Sequence, residues 1–189
     1  MGIAFIMVWA ATIRKTLKTS EKMHGTMVLH IKNRHRLKEK EARELISKLR
    51  AKTGIDSFDV VKAVDVGMLE DIMVVLVDDS VDFFYHQDQL IPTLQGITKY
   101  QPKTHGIVVD MGAISFITKG ADVMAPGITD ADPSIQKDDI VWVCDEKHHK
   151  TLAVGIAFLT GEEMKMKQPG KAVKTLHYVG DRLWVLSHQ

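Results

Sequence analysis

Gly112, Gly120 and Gly127, with Pro126, punctuate the stretch VVDMGAISFITKGADVMAPGI at residues 108–128, which is otherwise apolar enough for a protein core. Glycine at such positions signals either a positive φ or the close approach of another backbone or a ligand. This segment is therefore the first place to look for a binding surface. Other groupings suggest chemistry only weakly. His148 and His149 adjoin Lys150 in DEKHHK, which reads as a hairpin turn distant from the glycine-rich stretch, and a metal site would need further ligands at suitable spacing. DADPSIQKDD is rich in carboxylates but lacks the central glycine of a calcium loop. Cys144, between Val143 and Asp145, reads as a core or edge residue of a strand. Neither a P-loop nor a nucleophile-elbow signature is present. The expectation is a protein without catalytic residues, metal or cofactor.

The elements that position these residues belong to a chain of 189 residues, 45% hydrophobic and 26% charged, sized for one domain or two small ones. A single cysteine excludes an internal disulfide and suits a reducing compartment; the expected location is the cytoplasm. The formal charge of +1 hides an asymmetry. Residues 14–52 hold thirteen Lys/Arg against four Glu, and the remainder holds twelve against twenty Asp/Glu. A basic block on an acidic body suggests a nucleic-acid surface, although short basic stretches are often only solvated faces. Within the block, LKEKEARELISKLRAKTG (Leu37 to Gly54) places Ala42, Leu45, Ile46 and Leu49 on one helical face, and Gly54 is a natural stop. Arg36, Lys40, Arg43, Ser47 and Arg50 fall on the opposite stripe. Glu39, Glu41 and Glu44 flank it and can pair with neighbouring bases.

The opening GIAFIMVWAA is too short to span a bilayer, and its positive charges follow rather than precede it, so no export signal is read. It reads as an edge strand or as the product of an upstream start, with Met23 or Met27 as alternatives. No membrane partner is expected. EDIMVVLVDD, DDS and VDFFYH read as a hairpin over 71–86. LIPTLQGITKYQPK, with two prolines, reads as a linker with a short helix up to about Lys103. Beyond it come the short strands GIVVD, DVMAP, DIVWVCD, TLAVGIAFL, KAVKTLHYV and RLWVL, separated by turns, with GAISFITKG as the one helical piece. The fold class is α+β: a small α/β N-terminal domain followed by a small β barrel or sandwich.

VDMGAISFITKGADVMAPGI, DDIVWV, AVGIA and GKAVKTLHYVGDRLW, in that order, resemble a PUA domain, the RNA-binding module of pseudouridine synthases and archaeosine transglycosylases. The wider match, from the basic helix through FFYHQDQLIPTL, is similar to the archaeal relatives of the malignant T-cell-amplified sequence family, in which a pre-PUA domain precedes the PUA domain. The resemblance implies an extension at residues 1–26, a pre-PUA domain at 27–103 and a PUA pseudobarrel at 104–189.

That resemblance also implies where RNA would lie: on Gly112, Ala113 and Lys119 of the short helix, on Gly120, Met124, Ala125, Pro126 and Gly127 after it, and on Lys171 and Arg182. Small residues would let a ribose-phosphate backbone approach, amides near Gly112 and Ala113 could receive a phosphate, and Lys119 would add charge. Structural readings of the same residues, Gly120 as a helix cap and APG as a turn, hold beside this. Asp110, Asp122, Asp130, Asp132, Asp138 and Asp139 crowd the same half. Either the basic stripe of Arg36, Lys40, Arg43 and Arg50 supplies the attraction, or the domain reads a short single-stranded end by shape and stacking. The function implied is non-catalytic binding of tRNA or rRNA in translation. The partners implied are the small ribosomal subunit and a protein with an initiation-factor-like domain. Alternatives are a specificity subunit for a separate RNA-modifying enzyme and a protein-interaction scaffold.

Overall fold

The computed structural model describes residues 31–53, 55 and 63–187. The opening apolar segment, and the readings made of it, lie outside the described residues. The first half is a five-stranded antiparallel meander: β1 (Ile31–Arg36), β2 (Val64–Leu69), β3 (Ile72–Val77), β4 (Ser80–His86) and β5 (Gln89–Pro92), in that spatial order. Helix α1 (Glu39–Thr53) follows β1, and α2 (Leu94–Tyr100) follows β5.

The unbroken apolar run of β3 is explained by burial on both faces. Strand side chains alternate: Val75 and Val77 join Leu45, Leu49 and Phe83 under α1, whereas Val74 and Leu76 join Phe84, Ile91, Leu94 and Ile97 on the other face. That second cluster continues into Ile140, Val154, Leu183 and Leu186 of the second half, so the two halves share a core.

The second half contains β6 (Gly106–Val109), α3 (Met111–Ile117), β7 (Val123–Met124), a 3₁₀ turn (Ala125–Gly127), β8 (Ile128–Ala131), β9 (Ile140–Asp145), β10 (Thr151–Ala157), α4 (Gly161–Lys165), β11 (Lys171–Tyr178) and α5 (Arg182–Ser187). Its sheet runs β7-β11-β10-β9-β6-β8. All pairings are antiparallel except β6 with β9, which run parallel from Gly106↔Trp142 to Val109↔Asp145. The hairpin over 71–86, the first helix and the α+β class are as expected.

Four expectations are corrected. LIPTL is not linker: β5 pairs with β4, and Pro92 is tolerated because β5 is the edge of its sheet. Thr93 then caps α2, its Oγ1 accepting the Gly96 amide at 3.0 Å. RLWVL is a helix, because Gly180 at φ 93° breaks β11 and Asp181 caps the next turn, accepting the Trp184 amide at 2.7 Å. Leu183 and Leu186, three residues apart, then enter the shared core. TGEEMK forms α4 with a full capping box between Thr160 and Glu163, a signature that the sequence displays. The ITDA part of the acidic stretch is strand β8 rather than turn, paired with β6.

Candidate nucleic-acid interface

Between α3 and the β7–3₁₀ segment lies an open groove of about 460 Å³, lined by Asp110, Gly112, Ala113, Phe116, Ile117, Asp122, Val123, Met124 and Gly127. It is built locally. Ile117, Val123, Ala125 and Ile128 are buried in the core of the second half and hold both walls. The Asp110 amide donates to the Gly127 carbonyl at 3.0 Å, tying the two ends of the segment together. The Thr175 amide and Lys171 Nζ donate to Asp122 at 3.1 and 2.9 Å, which anchors the α3–β7 turn to β11. The ion pair with Lys171, supported by that amide, holds the Asp122 carboxyl below the usual carboxylate range.

The three glycines separate into two kinds. Gly120 has φ 82°, and a Cβ there would fall 2.8–2.9 Å from the Tyr178 ring, so the fold itself requires glycine. Neither Gly112 nor Gly127 has a positive φ. A Cβ at Gly112 would approach only Asp110 Oδ1 at 3.2 Å, and one at Gly127 would make ordinary contact with Ala113. Those two leave the groove open for something to come close.

Phe116 is 66% exposed on the groove wall, and Met124 and nearby Met111 are 48% and 44% exposed. A ring this exposed, beside a concave apolar surface, is a platform for a planar ligand. Residue-type reasoning passed over Phe116, and it placed Asp110 and Asp122 near the surface without assigning them to it. A signal was available: Gly112, Ala113 and Phe116 share one helical face, while Ile117 turns to the core.

Of the two amides expected to receive phosphate, that of Ala113 is already engaged, and so is the neighbouring amide of Met111. The Ala113 amide donates to Asp110 Oδ1 at 2.9 Å, and the Met111 amide donates to Glu146 Oε1 at 3.3 Å. A phosphate at this helix start would meet two carboxylates, so that expectation is corrected. The source of Glu146 corrects another. The DEKHHK turn is not distant from the groove; it abuts it, because β6 and β9 run parallel and deliver α3 and this turn to the same end of the sheet.

The remaining candidates are dispersed. Lys119 is exposed just beyond α3 and forms no side-chain hydrogen bond or ion pair among the described residues. Pro126 is exposed, and Ala125 is fully buried. Lys171 is at the groove rim, paired to Asp122. Arg182 begins α5 and is paired with Glu70 and Asp71 in the β2–β3 turn, bridging the two halves rather than facing the groove. Arg36 is not on the helical stripe. It ends β1 and pairs with Asp65 at 2.5 Å, because the chain turns before α1 begins. Lys40, Arg43 and Arg50 are exposed on α1, Arg43 paired with Glu39 one turn back. Cys144 is buried, which pushes its thiol up to about 11. No group of three or more His, Cys, Asp or Glu able to hold a metal occurs among the described residues, nor is any helix there long and apolar enough to cross a membrane.

Residues 105–179 match the PUA domain family, and residues 33–100 match a domain of unknown function, DUF1947. An uncharacterized protein of Methanocaldococcus jannaschii is 49% identical over 121 residues, covering 64% of this chain and 75% of that protein. Translation machinery-associated protein 20 of Saccharomyces cerevisiae is 36% identical over 117 residues, covering 59% and 65%. The malignant T-cell-amplified sequence 1 homolog of Drosophila melanogaster is 36% identical over 106 residues, covering 54% and 58%. The chain thus spans slightly less than two thirds of these two eukaryotic relatives. A hypothetical protein of Pyrococcus horikoshii has the same architecture, with TM-score 0.73 and 35% identity over 82% of this chain and 99% of that one. The curled sheet that carries the groove, joined through a shared core to a helix-backed meander, matches one family and the meander matches the other: the chain belongs to the family of proteins in which a DUF1947 pre-PUA domain precedes a PUA domain.

Proposed function

We propose that the protein binds RNA without acting on it chemically, holding an unpaired nucleotide in the α3–β7 groove, and that it does so within the translation machinery on tRNA or rRNA. RNA binding as such is supported by the PUA match and by relatives named for translation. The observation that carries the finer reading is the groove's character: an apolar floor, a Phe116 ring 66% exposed, and carboxylates of Asp110 and Asp122 at the rim. Such a surface repels a phosphate and favours a base, which stacks on the ring and offers amino groups to the carboxylates. The small ribosomal subunit and a protein with an initiation-factor-like domain are the partners this reading favours, and nucleotide ends or loops are the elements of RNA it can take.

Crosslinking to cellular RNA followed by sequencing identifies the bound species. Enrichment of tRNA or small-subunit rRNA is the expected result, and no enrichment over an unrelated acidic protein overturns the reading. Phe116→Ser should weaken binding of that RNA by the value of one stacked base, about 1–3 kcal/mol, or roughly fivefold to over a hundredfold in Kd. The melting temperature should barely move, because the ring is already in water.

A further inference from the structure

The groove leaves the charge of a bound strand unaccounted for. Asp110, Asp122 and Glu146 stand at its rim, the amides of Ala113 and Met111 at the start of α3 are taken by Asp110 and Glu146, and Lys171 is committed to Asp122. A nucleotide cannot enter without its phosphates, so they must lie on cations beside the groove.

We propose that the β9–β10 turn, Glu146 to Lys150, is a second arm of the interface that receives the RNA backbone; this rests on the reading of the groove as an RNA site. Two observations carry it. The turn is locked in place: the buried Asp145 carboxylate accepts the amides of Lys147 (3.0 Å), His148 and Lys150 (2.9 Å), and the His149 amide donates to the Asp145 carbonyl at 3.1 Å. Glu146 fixes it against α3, its amide donating to the Val109 carbonyl at 3.0 Å and its carboxylate accepting the Met111 amide. The carboxylates of Asp145, at the end of β9, and of Glu146, in the turn, are thus both engaged by backbone N–H groups. The other side chains are all exposed, and Lys147, His148, His149 and Lys150 form no side-chain hydrogen bond or ion pair among the described residues. Elsewhere in this half, Lys137, Lys165, Lys171 and Arg182 are each paired with a carboxylate, whereas Lys119, Lys167 and Lys174 are exposed and, like the lysines of the turn, form no ion pair among the described residues.

A rigid turn that presents two uncommitted lysines and two imidazoles at one end of a base-sized groove suits a phosphate backbone leaving that groove. Preorganisation reduces the ordering cost of each contact. Lys119, exposed past the opposite end of α3, would hold the strand on the other side.

The test is the salt dependence of binding to a labelled single-stranded RNA of mixed sequence, measured by anisotropy. Lys147→Ser/Lys150→Ser should reduce the log–log slope by about 1.4, at about 0.7 for each phosphate that is no longer neutralised. Lys147→Gln/Lys150→Gln should reproduce it. A control that removes the same charge is Lys103→Ser/Lys137→Ser, Lys137 being paired with Glu163. Lys103 precedes β6 and Lys137 precedes β9, so the parallel pairing puts both at the far end of the sheet, about 20 Å of strand away. The control should keep the wild-type slope. If the wild type and Phe116→Ser differ in affinity but the turn variants match the control, the turn proposal is overturned and the groove stands. Failure of the wild-type protein to bind any single strand overturns the groove reading and the turn with it.

Discussion

The basic face of α1 and the α3–β7 groove differ in what each would offer to the RNA proposed as ligand. On α1 the exposed residues are charges on long side chains, interleaved with glutamates such as Glu39, which pairs with Arg43. In the groove the exposed residues are Phe116 and Met124 with glycines between them, and the charged residues lining it, Asp110 and Asp122, are acidic, the latter paired with Lys171. The first surface can attract any phosphate backbone and distinguishes little. The second attracts little at long range but accepts a flat apolar group. The contrast teaches that net charge points to a surface suited to any polyanion and passes over one shaped for a flat apolar group.

Both surfaces depend on rigid support, and the largest expected effect comes from removing it on one side. Asp82 is fully buried and accepts Tyr100 Oη at 2.5 Å and Lys99 Nζ at 2.7 Å, joining α2 to β4. Burial, reinforced by that hydrogen bond to Asp82, raises the Tyr100 phenol well above its ordinary value. Asp82→Ala removes the acceptor that Tyr100 Oη and Lys99 Nζ share, while Lys99, 37% exposed, keeps its bond to the Val77 carbonyl at 3.1 Å; losing the two charge-assisted bonds should cost about 3 kcal/mol, read from the midpoint of urea unfolding. A shift under about 1 kcal/mol would mean that water replaces the carboxylate easily and that α2 is not held as described.

The next largest effect separates glycines that serve the fold from glycines that serve the groove. Gly120→Ala forces a Cβ into the Tyr178 ring at a positive φ and should destabilise by about 1–3 kcal/mol. Gly112→Ala, without that strain, should stay within about 0.5 kcal/mol in stability while weakening RNA binding. Parallel declines of stability and affinity in both variants would remove the distinction.

A smaller effect tests the α1 face. Lys40→Ser/Arg43→Ser/Arg50→Ser should leave the melting temperature nearly unchanged and flatten the salt slope by about 0.7 for each phosphate that these side chains neutralise. Unlike Phe116→Ser, it should weaken all RNA sequences equally. An unchanged slope makes α1 a solvated face.

The smallest effect is in acid. The folded pKa of Asp122 is depressed, chiefly by Lys171, so its contribution to stability is present above the unfolded carboxylate value and lost as pH falls through the folded one. Lys171→Ser should therefore lower stability at neutral pH slightly and leave it unchanged once Asp122 is protonated. Melting curves between roughly pH 2 and 6 would show the two proteins converging at the acid end. A constant difference across that range would locate the role of Lys171 elsewhere.

Local signals were legible where local physics decides. The first helix follows from its apolar spacing, the 71–86 hairpin from apolar runs around DDS, and the Gly120 turn from a glycine at a helix end. The capping box of α4 was equally visible in TGEE. RLWVL misled because five apolar-rich residues suit either a strand or a helix until Gly180 and Asp181 are weighed. LIPTL misled because proline marks a break in a central strand but not at a sheet edge.

The order and type of most elements, the two-part organisation and the glycine-marked segment that borders the groove are properties of the sequence alone, because period, turn chemistry and residue size act over a few neighbouring positions. What only the tertiary structure decided is which charges remain available and what stands beside the groove. Arg36 and Arg182 resemble any other surface cation in the sequence, yet Asp65 and the Glu70–Asp71 turn occupy them. The DEKHHK turn lies more than thirty positions from Met111, yet it meets α3 because two parallel strands carry both to one end of the sheet. Parallel pairing joins segments through long crossovers, so its consequences cannot be read from neighbouring residues.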